Sequence, residues 1–336
     1  MKQDSPVKDL SDVVVVVLPV LNEVNYIVEA INDLRHGNRG VPIWVMDGGS
    51  TDGTLILLQE LAASDADVHL FDNPGRTQSH AINRAADMAA KAGYRFMVRA
   101  DAHCRYPAEF VQGMVNLMVN RQADSVTVPL IATQVGYSRW QLANGDLQRS
   151  WLGNGGARHR KLGRSGWVDH GHHAAFLLGR FTAVGGYDTA LHACEDVDYD
   201  YRQRLEGAHI WFAADWPVVY MPRANPGASW QQMLRNGAAR IQVAYKHRKP
   251  LSQRQLLPVF ACIGLFVAPF GIVWWPVAIP AVIYMALVMI MSVRVGRSGG
   301  IVHSLRIGAL AVISHVGFSA GILRGLFGRI LLRGQI

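Results

Sequence analysis

The first 130 residues alternate short apolar runs with segments in which apolar positions recur at helical spacing. Strands are predicted at 13–18, 42–46, 68–71 and 94–99, and helices at 22–34, 54–63 and 79–92. This alternation is typical of βαβ units, so we predict an α/β fold with a mostly parallel central sheet and helices on both faces. The carboxyl ends of the strands then share one edge, where open sheets of this kind bind ligands.

The C-terminal third has a different pattern, which predicts membrane helices. Residues 256–293 contain no Asp, Glu, Lys or Arg. As a helix this segment is about 57 Å long, close to two crossings of a hydrocarbon layer of about 30 Å. We therefore expect a hairpin of helices at 256–275 and 276–293. A third apolar helix at 301–323 either crosses the membrane or lies in its interface.

The rest of the chain is divided by the same pattern. Residues 1–225 are expected to form a catalytic domain, and 226–255 an amphipathic interfacial helix and linker before the membrane region 256–336. The net charge is +8, and Lys246, Arg248 and Lys249 precede the hairpin while Arg294 and Arg297 follow it. By the positive-inside rule both ends face the cytosol, so membrane lipids, and not nucleic acid, are the expected partners of this charge.

Polar residues and glycines follow the first two predicted strands. The candidate nucleotide-binding residues at these strand ends are Pro19, Asn22, Glu23, Asp47, Gly49 and Asp52. Glycines let a backbone approach a ligand closely, and Asp47 can accept hydrogen bonds from a uracil imide or a ribose hydroxyl. An ordinary strand-to-helix turn capped by Asp52 or Thr54 is the alternative explanation.

Asp101 and His103 follow the fourth predicted strand. Residues i and i+2 of an extended segment point to the same side, so these two side chains can converge on one divalent cation. An imidazole ligand favours Mn²⁺ over Mg²⁺. A solvated turn before Tyr106 explains the pair without a metal. Arg76 and Arg99 are candidate contacts for the phosphates of the same donor nucleotide, although either is also explained as a surface cation with a buried stem.

Glu195 and Asp196 open an acidic stretch that continues as a helical pattern to residue 205. Asp196 is the candidate general base for an acceptor hydroxyl, with Glu195 beside it. Acids at the positive end of a helix dipole explain both residues without catalysis. His172 and His173 are candidate acceptor or phosphate ligands, but neighbours in an extended segment point opposite ways, so at most one lines a site.

Taken in order, the motifs at 19–23, 47–53, 101–103 and 195–196 resemble those of the inverting family 2 glycosyltransferases with the GT-A fold. The stretches 99–107 and 168–176 are most similar to the ExoA group of succinoglycan biosynthesis proteins. The resemblance covers about the first 240 residues. It implies that Glu23 and Asp47 hold the nucleoside, that Asp101 and His103 hold the metal and the diphosphate, and that Asp196 binds the acceptor hydroxyl.

The resemblance also implies a reaction: transfer of a hexose, expected to be glucose in a β-1,3 linkage, from a UDP-sugar to a polyprenyl-diphosphate-linked saccharide in bacterial exopolysaccharide biosynthesis. The expected cofactor is Mn²⁺ or Mg²⁺, and the expected location is the inner membrane with the catalytic domain in the cytosol. Arg235 and Arg240 stand where processive relatives carry a Gln-x-x-Arg-Trp motif, so they are candidate acceptor or phosphate contacts. Alternatively, His315 of the last helix and the arginines after it, Arg324, Arg329 and Arg333, form a groove for the lipid diphosphate.

Two other functions fit parts of this pattern. A nucleotidyltransferase also pairs an α/β sheet with a metal, but it needs a Gly-rich loop bearing Lys or Arg after the first strand, where this chain has Pro19-Val-Leu-Asn-Glu23. A non-catalytic membrane scaffold could keep a residual nucleotide site. The intact Asp101, His103 and Asp196 favour an enzyme over that scaffold.

Overall fold

The computed structural model describes residues 10–133, 138–156 and 163–333. The chain groups into two compact units. The first comprises Met1–Ile131, Arg158–Leu191 and Glu195–Tyr220, and the second comprises Ala132–Ala157, His192–Cys194 and Met221–Ile336.

The strands are β1 (Val14–Val20), β2 (Ile43–Asp47), β3 (Val68–Asp72), β4 (Phe96–Arg99), β5 (Cys104–Arg105), β6 (Ser125–Val128), β7 (Leu130–Ala132), β8 (Gly166–Val168), β9 (His172–Leu177), β10 (Ile210–Phe212) and β11 (Val218–Tyr220). The α-helices are α1 (Ile27–Arg35), α2 (Thr54–Ser64), α3 (Gln78–Lys91), α4 (Phe110–Arg121), α5 (Arg139–Arg149), α6 (Trp151–Asn154), α7 (Leu178–Ala183), α8 (Glu195–Leu205), α9 (Pro226–Lys246), α10 (Gln253–Val267), α11 (Ile279–Val295) and α12 (Gly300–Arg333).

The first unit is built on an eight-stranded sheet of order β3-β2-β1-β4-β9-β6-β10-β8. β3, β2, β1 and β4 are parallel, and β9 runs antiparallel to both of its neighbours, β4 and β6. The predicted mostly parallel α/β sheet is confirmed. Because β1 lies between β2 and β4, the carboxyl ends of these three strands meet at one edge. The candidate residues at 19–23, 47–53 and 101–103 all follow these ends.

The predicted first helix starts later than its pattern suggested. Helix α1 begins at Ile27, and Asn22 has a φ of +58°, in the left-handed region that Asn tolerates. The backbone N–H of Asn22 donates to Ser50 Oγ at 2.9 Å, and its side-chain oxygen accepts from the N–H of Thr51 at 2.8 Å. The predicted start of this helix at residue 22 is therefore wrong, because Asn22 ties the loop after β1 to the loop after β2.

The second unit is helical. Its three helical stretches at Gln253–Ile272, Trp275–Val295 and Arg297–Gly328 are long and apolar enough to cross a membrane. The first two match the predicted hairpin closely, and α12 is longer than the predicted segment 301–323. Helices α9 and α12 pack through glycines, since a Cβ at Gly321 would collide with the carbonyl oxygen of Leu234 and one at Gly237 with that of Phe318. Small residues of this kind let two helix backbones approach closely.

Two helices from the middle of the chain, α5 and α6, belong to the helical unit. Leu147 and Leu152 pack in one apolar cluster with Val288, Ile307 and Leu310. These two helices thus group with the apolar tail although they precede the expected boundary at residue 225, which stays a prediction. A single domain boundary in the sequence cannot describe this grouping, because the chain enters the helical unit at Ala132–Ala157 and then continues in the α/β unit.

Two histidines of the last helix, α12, find partners inside the helical unit. His303 Nε2 lies 2.8 Å from Asp146 Oδ2 of α5. His315 is bonded through Nδ1 to the hydroxyl of Tyr284 at 3.0 Å and through Nε2 to the carbonyl oxygen of Leu152 at 3.1 Å. Because both nitrogens of His315 hold neighbouring segments, the expected lipid-diphosphate groove at this histidine is not supported.

Candidate active site

Two loops at the carboxyl edge of the sheet form the expected nucleoside end of the site. The residue pairing of β1 with β2 sets Val20 beside Asp47. Beyond this point the loops are joined by the Asn22 bonds and by the N–H of Glu23, which donates to Thr54 Oγ1 at 2.9 Å. Asp52 accepts from the backbone N–H of Thr54 at 3.0 Å and of Val24 at 3.3 Å. Asn22 and Asp52 thus shape the loops with their own side chains.

Asp47 is the buried acid of this region, 5 % exposed. One of its oxygens accepts the N–H of Gly49 at 2.9 Å and that of Ser50 at 3.1 Å, and the other accepts the Ser50 hydroxyl at 2.5 Å. Gly49 has a φ of +83°, which favours glycine at this turn. A nucleoside would therefore meet a carboxylate that its own loop already orients, and direct contact with Asp47 stays a prediction.

Asp101 lies beyond the end of β4, and its surroundings lower its pKa. Its Oδ1 accepts from Gln78 Nε2 at 2.9 Å and lies 3.4 Å from Arg99 Nη2, while its Oδ2 lies 3.6 Å from His172 Nε2. Burial by itself would raise the pKa of Asp101, but the charges of Arg99, His172 and His103 outweigh burial and lower the pKa to about 2. Asp101 is therefore a carboxylate anion at neutral pH.

His103 is linked to the loop that follows β1. Its Nδ1 lies 3.0 Å from Glu23 Oε1, and the two side chains are 31 % and 17 % exposed. A carboxylate that holds one imidazole nitrogen fixes the ring orientation, as is usual for histidines that bind metals. Glu23 is expected at the nucleoside and His103 at a metal, and the structure joins these two residues in one hydrogen bond.

The two adjacent histidines of β9 lie on opposite faces of the strand. His172 is the one beside Asp101. His173 is 1 % exposed, and its Nδ1 lies 2.6 Å from the Tyr187 hydroxyl while its Nε2 lies 2.7 Å from Asp200 Oδ1. The expectation that His173 binds the acceptor or a phosphate is corrected, because both of its ring nitrogens have partners inside the core.

Glu195 and Asp196 form the first turn of α8, where the sequence placed a helix. Burial and the neighbouring Asp196 raise the pKa of Glu195, and Arg99 partly opposes this shift. Arg99 is influenced by both Asp101 and Glu195, so these three groups share one electrostatic neighbourhood. The start of α8 therefore lies near the Asp101 site, as a general base there would require, and the role of Asp196 stays a prediction.

The four candidate arginines divide into three groups. Arg99 is 7 % exposed and bonded to Tyr187 and Asp101, and its expected contact with the donor stays a prediction. Arg76 is exposed, with a φ of +57°, and its backbone carbonyl lies near Gly48 of the loop after β2. Arg235 and Arg240 lie on α9 of the helical unit, and their contact with the acceptor stays a prediction.

Three residues of the site were missed from the sequence. Gln78 opens α3 and donates to Asp101, the hydroxyl of Tyr106 bonds the backbone of Asp101, and Tyr187 holds Arg99. The position of Tyr106 five residues after Asp101 was visible as a local signal. Gln78 and Tyr187 had none, because each meets Asp101 or Arg99 only through the folding of a distant segment.

Comparison with known proteins identifies the family of the chain. The model of the glycosyl transferase family 2 domain matches residues 15–184. The chain is 35 % identical over 314 residues to the succinoglycan biosynthesis protein ExoA of Rhizobium meliloti (strain 1021), and the match covers 93 % of this chain and 94 % of that protein. The chain is a family 2 glycosyltransferase. This family membership favours the glycosyltransferase over the nucleotidyltransferase that the sequence left open.

Solved structures show the same fold. The mannosyltransferase PcManGT from Pyrobaculum calidifontis, solved with GDP-Man and Mn²⁺, is 18 % identical with a TM-score of 0.56, covering 94 % of this chain and 87 % of that chain. GalNAc-T7, solved with UDP, GalNAc and Mn²⁺, is 17 % identical with a TM-score of 0.51, covering 69 % and 47 %. At these identities the likeness establishes the GT-A fold of the glycosyltransferase.

Proposed function

We propose that this family 2 glycosyltransferase moves a hexose, most simply glucose, from a UDP-sugar to a polyprenyl-diphosphate-linked saccharide in exopolysaccharide assembly. The observation that carries the proposal is the Asp101 carboxylate, held as an anion at the carboxyl edge of β1, β2 and β4. The ExoA relative, matched over nearly its whole length, supports the pathway. The three apolar helices support an acceptor that is embedded in the bacterial inner membrane, with the catalytic unit on the cytosolic side.

In the proposed reaction, Asp196 accepts the proton of the acceptor hydroxyl as its oxygen bonds the anomeric carbon of the sugar. The bond between that carbon and the diphosphate oxygen breaks at the same time, and the electron pair leaves with UDP. Attack from the side opposite the diphosphate inverts the anomeric configuration. The pKa of Glu195 is raised because its partial burial and the charge of the neighbouring, half-buried Asp196 disfavour two negative charges at this pair, which supports this role.

A divalent cation fits the residues at Asp101 in part. Asp101 and His172 approach to 3.6 Å, and His103 lies close enough for its charge to lower the pKa of Asp101. Within 10–133, 138–156 and 163–333 no three acidic, His or Cys side chains form a complete metal cluster. We therefore assign Asp101, His103 and His172 as partial ligands of Mn²⁺ or Mg²⁺, with the remaining positions left to phosphate oxygens of the donor. The cation would neutralise the charge that develops on the departing diphosphate.

Transfer itself is the direct test. Full-length protein in detergent receives Mn²⁺, labelled UDP-glucose and a polyprenyl-diphosphate-galactose acceptor, and labelled lipid is measured. We expect a disaccharide on the lipid with inverted configuration, and about a 10²- to 10⁴-fold lower rate in Asp196→Asn, the range for a lost general base.

A matched control separates catalysis from charge. Asp67 pairs with Arg35 just before β3, at the end of the strands opposite Asp101, so Asp67→Asn should transfer at the wild-type rate. Equal rates in Asp196→Asn and wild type would rule out this base. A product with retained configuration would rule out direct displacement, and transfer from another UDP-sugar alone would change the donor but not the mechanism.

A further inference from the structure

A chain of buried polar groups runs from Asp101 into the core of the α/β unit. Arg99 Nη1 donates to the hydroxyl of Tyr187 at 3.0 Å, and that hydroxyl lies 2.6 Å from His173 Nδ1. His173 Nε2 lies 2.7 Å from Asp200 Oδ1. Tyr187, His173 and Asp200 are each 2 % exposed or less, so water does not compete for these bonds.

The direction of each bond follows from the chemistry of the groups. The carboxylate of Asp200 can only accept, so His173 donates from Nε2, and its Nδ1 in the neutral ring is an acceptor. The Tyr187 hydroxyl already accepts from Arg99 and therefore gives its own proton to His173. Asp200 in turn is held by Gln203 Nε2 at 2.7 Å, so the far end of the chain is fixed.

The backbone of Tyr187 is fixed as well. Asn83 of α3 accepts the N–H of Tyr187 and donates to its carbonyl oxygen, both at 2.8 Å. Gly186 precedes it with a φ of +61°, and a Cβ there would collide with the Asn83 side chain. Ring and backbone are thus set by separate partners, so the Tyr187 hydroxyl is a rigid acceptor.

Arg99 donates hydrogen bonds to Tyr187 and Asp101, and the charge of Glu195 also acts on it. Among the described residues its buried Nε has no hydrogen-bond partner, and its contact with Asp101 is long, at 3.4 Å. The guanidinium therefore divides its donors between the Tyr187 hydroxyl and Asp101. Without that hydroxyl, its most favourable move is closer to Asp101, where it would occupy both carboxylate oxygens as a bidentate pair.

We propose that Tyr187, His173 and Asp200 are positioning residues that hold Arg99 back from Asp101, so that the Asp101 oxygen facing His172 stays available to a divalent cation. The three residues act through Arg99 and touch no substrate. This inference rests on the proposed function only in taking Asp101 as a cation ligand. It does not depend on which sugar is moved or on the acceptor.

The test measures cation binding without catalysis. Full-length protein in detergent is titrated with Mn²⁺ alone, and the unbound ion is followed by its electron paramagnetic resonance signal. We expect Tyr187→Phe to raise the Kd by about tenfold, since a bidentate Arg99–Asp101 pair competes with the ion at a cost on the order of 1.4 kcal/mol. Tyr199→Phe is the matched control, because Tyr199 is 1 % exposed in the same core cluster and should keep the wild-type Kd.

A pair of variants at His173 tests the same device if Tyr187→Phe folds poorly. His173→Asn keeps an oxygen that can accept from the Tyr187 hydroxyl and should keep the Kd near that of wild type, whereas His173→Leu removes the acceptor and should raise it. Equal Kd values in His173→Asn and His173→Leu, or in Tyr187→Phe and Tyr199→Phe, would overturn the inference. So would a wild-type protein that binds no Mn²⁺.

The two proposals fail in different experiments. Wild-type protein that transfers no hexose but shows the Mn²⁺ differences would overturn the proposed function and leave the positioning residues standing. Normal hexose transfer with no Mn²⁺ differences would overturn only the positioning residues.

Discussion

The two faces of strand β9 each carry a histidine that lies beside an aspartate, but the two pairs differ in distance and burial. His172 faces Asp101 at 3.6 Å, with both side chains 14 % exposed, while His173 meets Asp200 at 2.7 Å with both almost fully buried. The first pair is too far apart for a hydrogen bond and lies at the carboxyl edge of the sheet, where open α/β sheets bind ligands. The second pair is a hydrogen bond in the core. A histidine beside an aspartate can therefore be part of the buried core or part of a candidate site, and its position in the fold decides which.

The helical unit extends this comparison. Its His303 and Asp146 approach to 2.8 Å, like the core pair of β9, and tie α12 to α5. Histidines in apolar helices are often functional, because polar groups at membrane depth are costly. Here the completed bonds indicate that they hold the unit together.

The largest effect, on the free energy of unfolding, is expected at the buried His173–Asp200 pair. Asp200→Ala leaves His170, His173 and Gln203 without their shared acceptor, so the free energy of unfolding should fall by about 3–5 kcal/mol, the usual cost of breaking a buried pair. Urea unfolding of the protein in detergent, followed by tryptophan fluorescence, measures it. Asp169→Ala is the control, since that side chain is 85 % exposed and should lose much less. Equal losses of unfolding free energy in Asp200→Ala and Asp169→Ala would contradict a structural role of the His173–Asp200 pair.

The next effect is on rate. Asp101→Asn should lower hexose transfer by about 10²- to 10³-fold, the usual result of removing one group that stabilises developing charge. Labelled lipid formed at saturating UDP-glucose gives the rate, measured below the melting temperature of the variant. A variant that keeps more than a tenth of the wild-type rate would indicate that the His172–Asp101 pair has a structural role, like the His173–Asp200 pair.

The His172–Asp101 pair should also give the fold a pH dependence. Because the pKa of Asp101 lies at about 2, below its usual 3.8, its contribution to stability is complete above pH 4 and is lost as the pH falls from about 4 to about 2. The difference in unfolding free energy between wild type and Asp101→Asn, measured in EDTA, should shrink by about 2 kcal/mol across this window. A constant difference would contradict the lowered pKa.

The smallest effect tests packing in the helical unit, where no ligand is involved. Gly321→Ala places a methyl group against the carbonyl oxygen of Leu234, which destabilises the contact of α9 with α12. The higher helix propensity of Ala offsets part of this cost, so the net loss of unfolding free energy should be about 1 kcal/mol. Gly328→Ala has open space around the new methyl and should be neutral or slightly stabilising. Thermal melting in detergent compares the two, and a stabilised Gly321→Ala would exclude close packing at this glycine.

Much of the fold could be predicted because its signals are local. The starts of α2 and α3 lie within one residue of their predicted positions, since apolar periodicity and turn residues act within a few positions. The helix predicted at 22–34 begins only at Ile27, because Asn22 bonds instead to Ser50 and Thr51, which lie 28 and 29 residues away. The grouping of α5 with the apolar tail was equally hidden, as the Asp146–His303 bond joins residues 157 positions apart.

The sequence by itself determined the alternation of strands and helices, the apolar tail and the order of motifs that marks a family 2 glycosyltransferase. It also required that His172 and His173 point to opposite sides of a strand. Only the tertiary structure decided which of them meets Asp101 and which enters the core, and that Arg99 is buried between Tyr187 and Asp101. Backbone periodicity is a property of neighbouring residues, whereas the partner of a polar side chain depends on which distant segments folding brings beside it.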